Sequence, residues 1–142
     1  MRTDPGKMSV EAEETVKAEP VFEKKVGLDH LFAAARYSSQ GFRRLLGEAA
    51  FRHELIAFAA GLVVFALVGA TFLQFIGFVV LMAILFAVEA LNTAIEELVD
   101  RISPEISTVG RNAKDLGSFA VFCMLVSNGL FALYVVIGGL FF

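Results

Sequence analysis

Long uncharged apolar stretches dominate the chain. Residues 55–73 contain no charged side chain, and neither do residues 75–88 or 116–142. A helix rises 1.5 Å per residue, so roughly 20 apolar residues cross the hydrocarbon core of a bilayer. The helical pattern of the second stretch continues to about Val99, which predicts three spanning helices at 55–73, 75–99 and 116–142. Strands are excluded because backbone groups in lipid must all be paired, and these segments are too few for a barrel.

The segment ahead of the first span has a different pattern. Between residues 28 and 53, apolar residues recur three or four positions apart and arginines lie between them. This spacing predicts an amphipathic helix on the membrane surface, broken near Gly41. An ordinary helix packed on the bundle is the alternative. Residues 1–26 carry six acids, five bases and few apolar residues, so we expect a disordered cytoplasmic tail ahead of a membrane domain at 27–142.

Basic residues predict the orientation. They lie ahead of the first span and between the second and third spans, whereas the turn near residues 69–74 carries no charge. The positive-inside rule then predicts a cytoplasmic N-terminus and an external C-terminus. The residues concerned are Arg36, Arg43, Arg44, Arg52, Arg101, Arg111 and Lys114.

Composition agrees with membrane residence. Hydrophobic residues make up 57% of the 142 residues, charged residues make up 19%, and the mean hydropathy is +0.71. A soluble domain of this size needs more polar surface. The bases are scattered, which argues against a nucleic-acid partner. His30 and His53 lack zinc-ligand spacing, and there is no GxxxxGK[ST] phosphate loop or protein-kinase signature.

Polar residues form one stripe at the end of the second span. At 100° per residue, Glu89, Asn92, Glu96 and Asp100 fall within an arc of roughly 80°, with Thr93 beside them. An ionisable residue at the bilayer centre costs roughly 2.5–3.5 kcal/mol or more, so a carboxylate that follows 14 uncharged residues indicates function. We expect Glu89 to act as a general base. For Glu97 and Arg101, a solvated helix end is the favoured interpretation.

Two further charged elements belong to the same membrane face. They are the stretch EAAFRHE at residues 48–54, ahead of the first span, and GRNAKD at residues 110–115, ahead of the third. Carboxylates suit Mg²⁺, and bases suit phosphate oxygens. The pattern therefore favours a site for a divalent cation and a polyphosphate, although ion pairs at a membrane boundary could produce a similar pattern.

Three motifs resemble the prokaryotic diacylglycerol kinase family. They are EALNTAIEELVDR at residues 89–101, AKDLGS at 113–118, and Tyr37-Ser38 together with EAAFRHE at 48–54. The resemblance covers roughly residues 27–142. It implies an all-α homotrimer of three-span subunits in the bacterial cytoplasmic (inner) membrane, each subunit with an N-terminal surface helix. Active sites would be shared between neighbouring subunits, and MgATP would phosphorylate diacylglycerol to phosphatidate.

The resemblance also implies a role for individual residues. Glu89 would take the proton from the lipid hydroxyl, Glu48 and Glu96 would hold Mg²⁺, and Asn92 and Asp100 would shape the site. The residues expected to contact ATP are Tyr37, Glu48, Glu96, Glu105, Lys114 and Asp115. The residues expected to contact the lipid are Ala50, Phe51, Arg52, His53, Glu54, Glu89 and Ser118.

Two alternatives stay open at this level. Undecaprenol kinases share much of the pattern, but their third span tends to begin with Lys-Asp and a small-residue Ala-Ala-Gly run, whereas this chain has KDLGS at residues 114–118. A non-enzymatic channel or structural protein is the second alternative. A pore would carry polar residues through the full membrane depth, but only Ser127 and Asn128 interrupt the third span. The chain also departs from the family at His30, Ala33 and Ser39, and is one residue shorter before Glu48.

Overall fold

A computed structural model of the protein describes residues 28–103 and 107–141. The tail predicted at residues 1–26 and the proposed nucleotide contact Glu105 lie outside the described residues. The described chain is helical throughout and contains no strand, which confirms the predicted all-α class. Its helices are α1 (Leu28–Leu45), α2 (Ala49–Leu67), α3 (Phe72–Ile102) and α4 (Thr108–Phe141).

Helices α2, α3 and α4 are each long and apolar enough to cross a membrane, as predicted. The chain is divided into two compact units after Arg36. The first unit contains the start of α1. The second unit, Tyr37–Phe142, contains the rest of α1 and the three long helices. Few side chains of the long helices are buried, and their exposed residues are mostly apolar. Exposed apolar surface of this extent is typical of a chain whose solvent is lipid.

The first helix boundary differs from the prediction. Helix α1 runs through Gly41 without a break and ends at Leu45, so residues 49–53 belong to α2 and not to the predicted surface helix. The turn occurs at Gly47, where the Arg52 guanidinium stabilises the exposed carbonyls of the turn. Its Nη1 donates to the carbonyl oxygens of Leu46 at 2.9 Å and Gly47 at 2.8 Å. Periodicity alone could not locate this break because apolar spacing continues across it.

The remaining helix ends also differ from the predicted spans. Helix α2 ends at Leu67 and not at residue 73, and α3 begins at Phe72 and not at residue 75. Helix α3 continues to Ile102, and α4 begins at Thr108, eight residues before the predicted start at 116. The Gly110 amide donates to Ser107 Oγ at 3.0 Å, which satisfies one of the free N–H groups of the new helix. Residues 110–115 therefore lie in the first turns of α4 and not ahead of it.

The turn between α2 and α3 is closed by local hydrogen bonds. Gly69 has φ of 70°, the left-handed conformation that glycine adopts most easily. Thr71 and Gln74 form a capping box: Gln74 N donates to Thr71 Oγ1 at 3.3 Å, and Thr71 N donates to Gln74 Oε1 at 2.7 Å. These bonds fix the point at which α3 enters the bundle.

Removing this cap is expected to destabilise the protein modestly. Thr71→Ala should lower the free energy of unfolding by about 1 kcal/mol, because the Gln74 N–H in the first turn of α3 loses the Thr71 hydroxyl as its acceptor. Thermal unfolding of the purified protein in detergent measures the change. Thr71→Ser keeps the hydroxyl and should stay near the wild-type midpoint; equal loss in both variants would refute the assignment.

Aromatic side chains form the core between α2 and α3. Phe65, Phe78 and Leu85 are almost completely buried, and the Phe65 and Phe78 rings lie 4.8 Å apart. Gly61 allows the close approach, because a Cβ there would overlap the Phe78 ring. Helices α3 and α4 pack along much of their lengths, and α2 contacts both. The core therefore holds the three long helices in a fixed register.

Candidate active site

A pocket of about 320 Å³ opens where the polar stripe of α3 faces α4 and the start of α2. It brings together six of the predicted site residues from three different segments. These six are Glu48, Ala50, Glu89, Asn92, Glu96 and Ser118, and the remaining lining residues are Thr93, Val121, Phe122 and Leu125.

Helix α3 contributes most of the polar lining. Glu89, Asn92, Thr93 and Glu96 are spaced three, four and seven residues from the first, so they share one face of the helix. Only 5% of Glu89 and 7% of Thr93 is exposed. Burying a carboxylate in an apolar helix costs free energy of desolvation. A carboxylate retained at such a position therefore indicates a functional role.

Asn92 is held tightly between two helices. Its Nδ2 donates to Glu96 Oε1 at 3.1 Å, which orients that carboxylate. Its Oδ1 is buried and accepts no hydrogen bond within the described part of the chain. Gly117 of α4 lies directly against this oxygen, and a Cβ at Gly117 would overlap it. Asn92 therefore offers one free hard oxygen in the pocket.

Adding a methyl group at Gly117 is expected to impair activity more than folding. Gly117→Ala would displace the Asn92 side chain and with it the Glu96 carboxylate. Because catalysis is sensitive to shifts of about 1 Å, the catalytic rate should fall by roughly 10²-fold. Initial rates on purified protein measure this. Gly129→Ala is the matched control, since a Cβ there meets nothing within 4 Å; equal losses would contradict the proposed packing role.

Arg44 connects the end of α1 to two carboxylates. Its Nη1 lies 2.6 Å from Glu48 Oε1, and its Nε lies 2.5 Å from Glu97 Oε1. The hydrogen bonds that the Arg44 guanidinium donates, to Glu48 first and then to Glu97, raise its pKa above the ordinary value. Arg44 therefore stays charged and holds Glu48 at the rim of the pocket. All three side chains are partly exposed, so the pair stabilises the fold little.

The start of α4 provides a second charged group beside the pocket. Lys114 Nζ lies 2.5 Å from Asp100 Oδ1, which joins α3 to α4 near their charged ends. Asp115 is exposed one residue further. Lys114, Asp115 and Asp100 do not line the pocket itself. They lie on the same helices as its lining residues, at the ends predicted to face the cytoplasm.

The remaining predicted residues have diverse environments. Phe51 is buried and packs edge-on against Phe42 and Phe86, at 5.7 and 5.2 Å between ring centroids. His53 is exposed, and Tyr37 is half exposed on α1. Glu54 faces a separate cavity. These residues therefore do not meet in the pocket within one chain.

Sequence reasoning did not select several residues of the site. Val121, Phe122 and Leu125 follow Ser118 at helical spacing and form the apolar wall of the pocket. That spacing is visible in the sequence, but an apolar helix offers no signal for which of its faces meets α3. Arg44 could have been found, since it lies four residues before Glu48, the spacing of a helical ion pair.

Comparison with known proteins decides the family. The model of the family described as prokaryotic diacylglycerol kinase matches residues 36–136, most of the chain. The chain belongs to the prokaryotic diacylglycerol kinase family. A protein named diacylglycerol kinase from Sinorhizobium sp. is 63% identical over 115 residues, which cover 81% of this chain and 84% of that protein.

More distant members of the family extend the match. A diacylglycerol kinase from Haemophilus influenzae is 35% identical over 120 residues, covering 84% of this chain and 98% of its own length. One from Escherichia coli strain K12 is 34% identical over 101 residues, covering 70% and 83%. Family membership confirms the predicted enzyme class, a diacylglycerol kinase, and does not favour the undecaprenol kinase or channel alternatives.

Proposed function

We propose that this protein transfers the γ-phosphate of ATP to the hydroxyl of a membrane diacylglycerol, giving phosphatidate and ADP. The observation that carries the proposal is Glu89, a buried carboxylate in a pocket shared with Glu48 and Glu96. A lipid hydroxyl can reach such a residue from the bilayer. The polar rim at the charged ends of the helices can admit a nucleotide from the water phase.

Mg²⁺ fits the residues of this pocket. The described residues contain no group of three His, Cys, Asp or Glu side chains that could enclose a metal ion. Mg²⁺ does not require such a cage, since it is commonly bound by one or two carboxylates together with substrate phosphates. Glu48 and Glu96 would supply those carboxylates, and the unpaired Asn92 Oδ1 adds a hard oxygen nearby. The bound ion would neutralise phosphate charge.

In the proposed reaction Glu89 acts on the lipid. Its carboxylate accepts the hydroxyl proton while the hydroxyl oxygen attacks the γ-phosphorus; the bond to the β-phosphate oxygen breaks, and ADP leaves. This transfer needs positioning and charge neutralisation more than covalent chemistry. Asn92 supports the arrangement because it holds the Glu96 carboxylate.

Glu48 and Glu96 would contact the nucleotide from within the pocket, and its other proposed contacts do not line the pocket. Lys114 would exchange its partner Asp100 for a phosphate oxygen, and Asp115 would contact the nucleotide beside it. Tyr37 and Glu105 complete the proposed set. Ala50, Phe51, Arg52, His53, Glu54 and Ser118 would contact the lipid or form its entry region. Of these, Ala50 and Ser118 lie in the pocket with Glu89.

We also propose that the protein is a homotrimer in the bacterial inner membrane, with a cytoplasmic N-terminus and an external C-terminus. The amphipathic α1 would lie on the cytoplasmic surface. The separation of Tyr37 and His53 from the pocket is consistent with a site completed by a neighbouring subunit. The extensive exposed apolar surface of the long helices leaves room for contacts between subunits.

The test is lipid-dependent transfer from radiolabelled ATP. Purified full-length protein is supplied with MgATP and, in parallel, with diacylglycerol, undecaprenol or no acceptor. We expect label in phosphatidate and little in the polyprenol phosphate. Preferential labelling of undecaprenol would overturn the acceptor, and absence of transfer to both lipids would overturn the kinase function.

A further inference from the structure

Glu48 and Glu96, the two proposed Mg²⁺ ligands, are held by the fold in different ways. Glu96 belongs to the regular helix α3, whereas Glu48 lies in the turn immediately before α2. The Glu48 backbone is extended, with φ of −81° and ψ of 133°, and its side chain makes no capping hydrogen bond to α2. A glutamate side chain has several accessible rotamers, and ordering it costs conformational entropy. The position of the Glu48 carboxylate in the pocket therefore depends on another contact.

Arg44 provides that contact. Its Nη1 donates to Glu48 Oε1 at 2.6 Å, and its Nε donates to Glu97 Oε1 at 2.5 Å. The first bond, between residues four apart, ties Glu48 only to the end of α1. The second bond reaches α3, at the residue that follows Glu96. Because both nitrogens belong to one planar guanidinium group, Arg44 joins Glu48 to the helix that carries Glu96.

The two carboxylates are bonded in a matching way. Asn92 Nδ2 donates to Glu96 Oε1, and Arg44 Nη1 donates to Glu48 Oε1. The hydrogen bonds among residues 28–103 and 107–141 leave the Oε2 atom of each carboxylate without a donor. In metal sites, hydrogen-bond partners of this kind orient the ligands that bind the ion. Arg44 therefore has the same relation to Glu48 as Asn92 has to Glu96.

We propose that Arg44 is a positioning residue of this site, which orients the Glu48 carboxylate so that it binds the same metal ion as Glu96. The inference rests on the proposed function, in which these two carboxylates bind Mg²⁺. In this role Arg44 acts through Glu48 and contacts neither ATP nor the lipid.

Two opposing effects determine the size of the contribution. The positive charge of Arg44 repels a cation, but its side chain is 50% exposed, so solvent screens this repulsion. Loss of a group that orients a metal ligand typically lowers metal affinity by about 10- to 100-fold. Orientation should therefore dominate, and Arg44→Met should weaken metal binding. Glu97→Gln keeps an acceptor oxygen for Arg44 Nε, so a small effect is expected at that position.

Equilibrium dialysis measures the effect without catalysis. Purified full-length protein in detergent is dialysed against radiolabelled β,γ-imido ATP, which does not transfer its γ-phosphate, with Mn²⁺ in place of Mg²⁺ or with EDTA. In Mn²⁺, we expect Arg44→Met to weaken nucleotide binding by roughly tenfold. In EDTA the variant should bind within about twofold of wild type, since no metal ion is there to lose its ligand. The unfolding midpoint should stay within about 4 °C, because exposed ion pairs contribute little.

Arg43→Met is the matched control. Arg43 is the adjacent residue of α1, carries the same charge, is exposed, and forms no ion pair among the described residues. Its variant should bind the nucleotide in Mn²⁺ within about twofold of wild type. Equal weakening in both arginine variants would indicate a general effect of charge. Equal losses of Arg44→Met with Mn²⁺ and with EDTA would indicate a direct phosphate contact, and either result would overturn the positioning role.

Glu96→Gln separates this inference from the proposed function. If Glu96→Gln weakens binding in Mn²⁺ and Arg44→Met does not, the positioning role is overturned and the proposed metal site stands. If neither variant weakens binding, the proposed metal site fails, and this inference fails with it.

Discussion

Replacing Glu89 with glutamine is expected to reduce phosphoryl transfer by about 10²- to 10⁴-fold, the usual contribution of a general base. Glutamine has nearly the same shape but cannot accept the hydroxyl proton. Folding should be preserved, since Glu89 is buried and the amide removes a charge that is costly to desolvate. Initial rates with saturating MgATP and diacylglycerol measure the loss, and thermal unfolding checks the fold.

Glu89→Asp provides the conservative comparison. Its carboxylate still accepts a proton but lies one methylene further from the lipid, so we expect activity between that of wild type and Glu89→Gln. A well-folded Glu89→Gln variant with more than a tenth of wild-type activity would show that another group takes the proton.

The second large effect is expected at Glu96. Glu96→Gln removes one of two proposed Mg²⁺ ligands while leaving a side chain that Asn92 can still contact. The Mg²⁺ concentration for half-maximal activity should rise by roughly tenfold or more. Even the loss of a hydrogen-bond partner of a metal ligand typically lowers metal affinity or activity by about 10- to 100-fold. Rates measured across a Mg²⁺ titration at fixed ATP give this shift.

Glu97 is the matched control for Glu96. It is the next residue along α3, carries the same charge, and is exposed in a pair with Arg44 outside the pocket. Because an exposed ion pair contributes little to the stability of the fold, Glu97→Gln should change the Mg²⁺ requirement by less than about threefold. Equal shifts in both variants would indicate a general effect of charge and would remove Glu96 as a ligand.

Much of the fold could be predicted because lipid restricts the alternatives. The uncharged stretches gave three spanning helices, and the structure contains three helices of the required length and composition. The helix ends were predicted less well, because they depend on local bonds. The break at Gly47 rests on Arg52 and two carbonyls, and the start of α4 rests on Ser107, none of which periodicity reveals.

The polar half of the site was also accessible from the sequence. Glu89, Asn92 and Glu96 share a face through helical geometry alone, and the structure places them in one pocket. The apolar half of the site could not be predicted from the sequence, because the rotation of α4 about its axis is set by packing. In the structure Gly117 lies against Asn92, and Val121, Phe122 and Leu125 of the same helix line the pocket with Glu89.

The same limit applies to partners of charged groups. Sequence spacing indicates the pair of Arg44 with Glu48 but not its second bond to Glu97, 53 residues away. Likewise, Lys114 and Asp100 meet only because α3 and α4 pack side by side. Contacts between distant segments require the tertiary structure.

The most direct test of the central claim is a comparison of nucleotide affinity and transfer rate on the same sample of Glu89→Gln. If Glu89 acts only as the base towards the lipid hydroxyl, the Kd for MgATP should stay within about twofold of wild type while transfer falls by at least 10²-fold. A Kd weakened in proportion to the lost activity would contradict the account, because it would make Glu89 part of the nucleotide site.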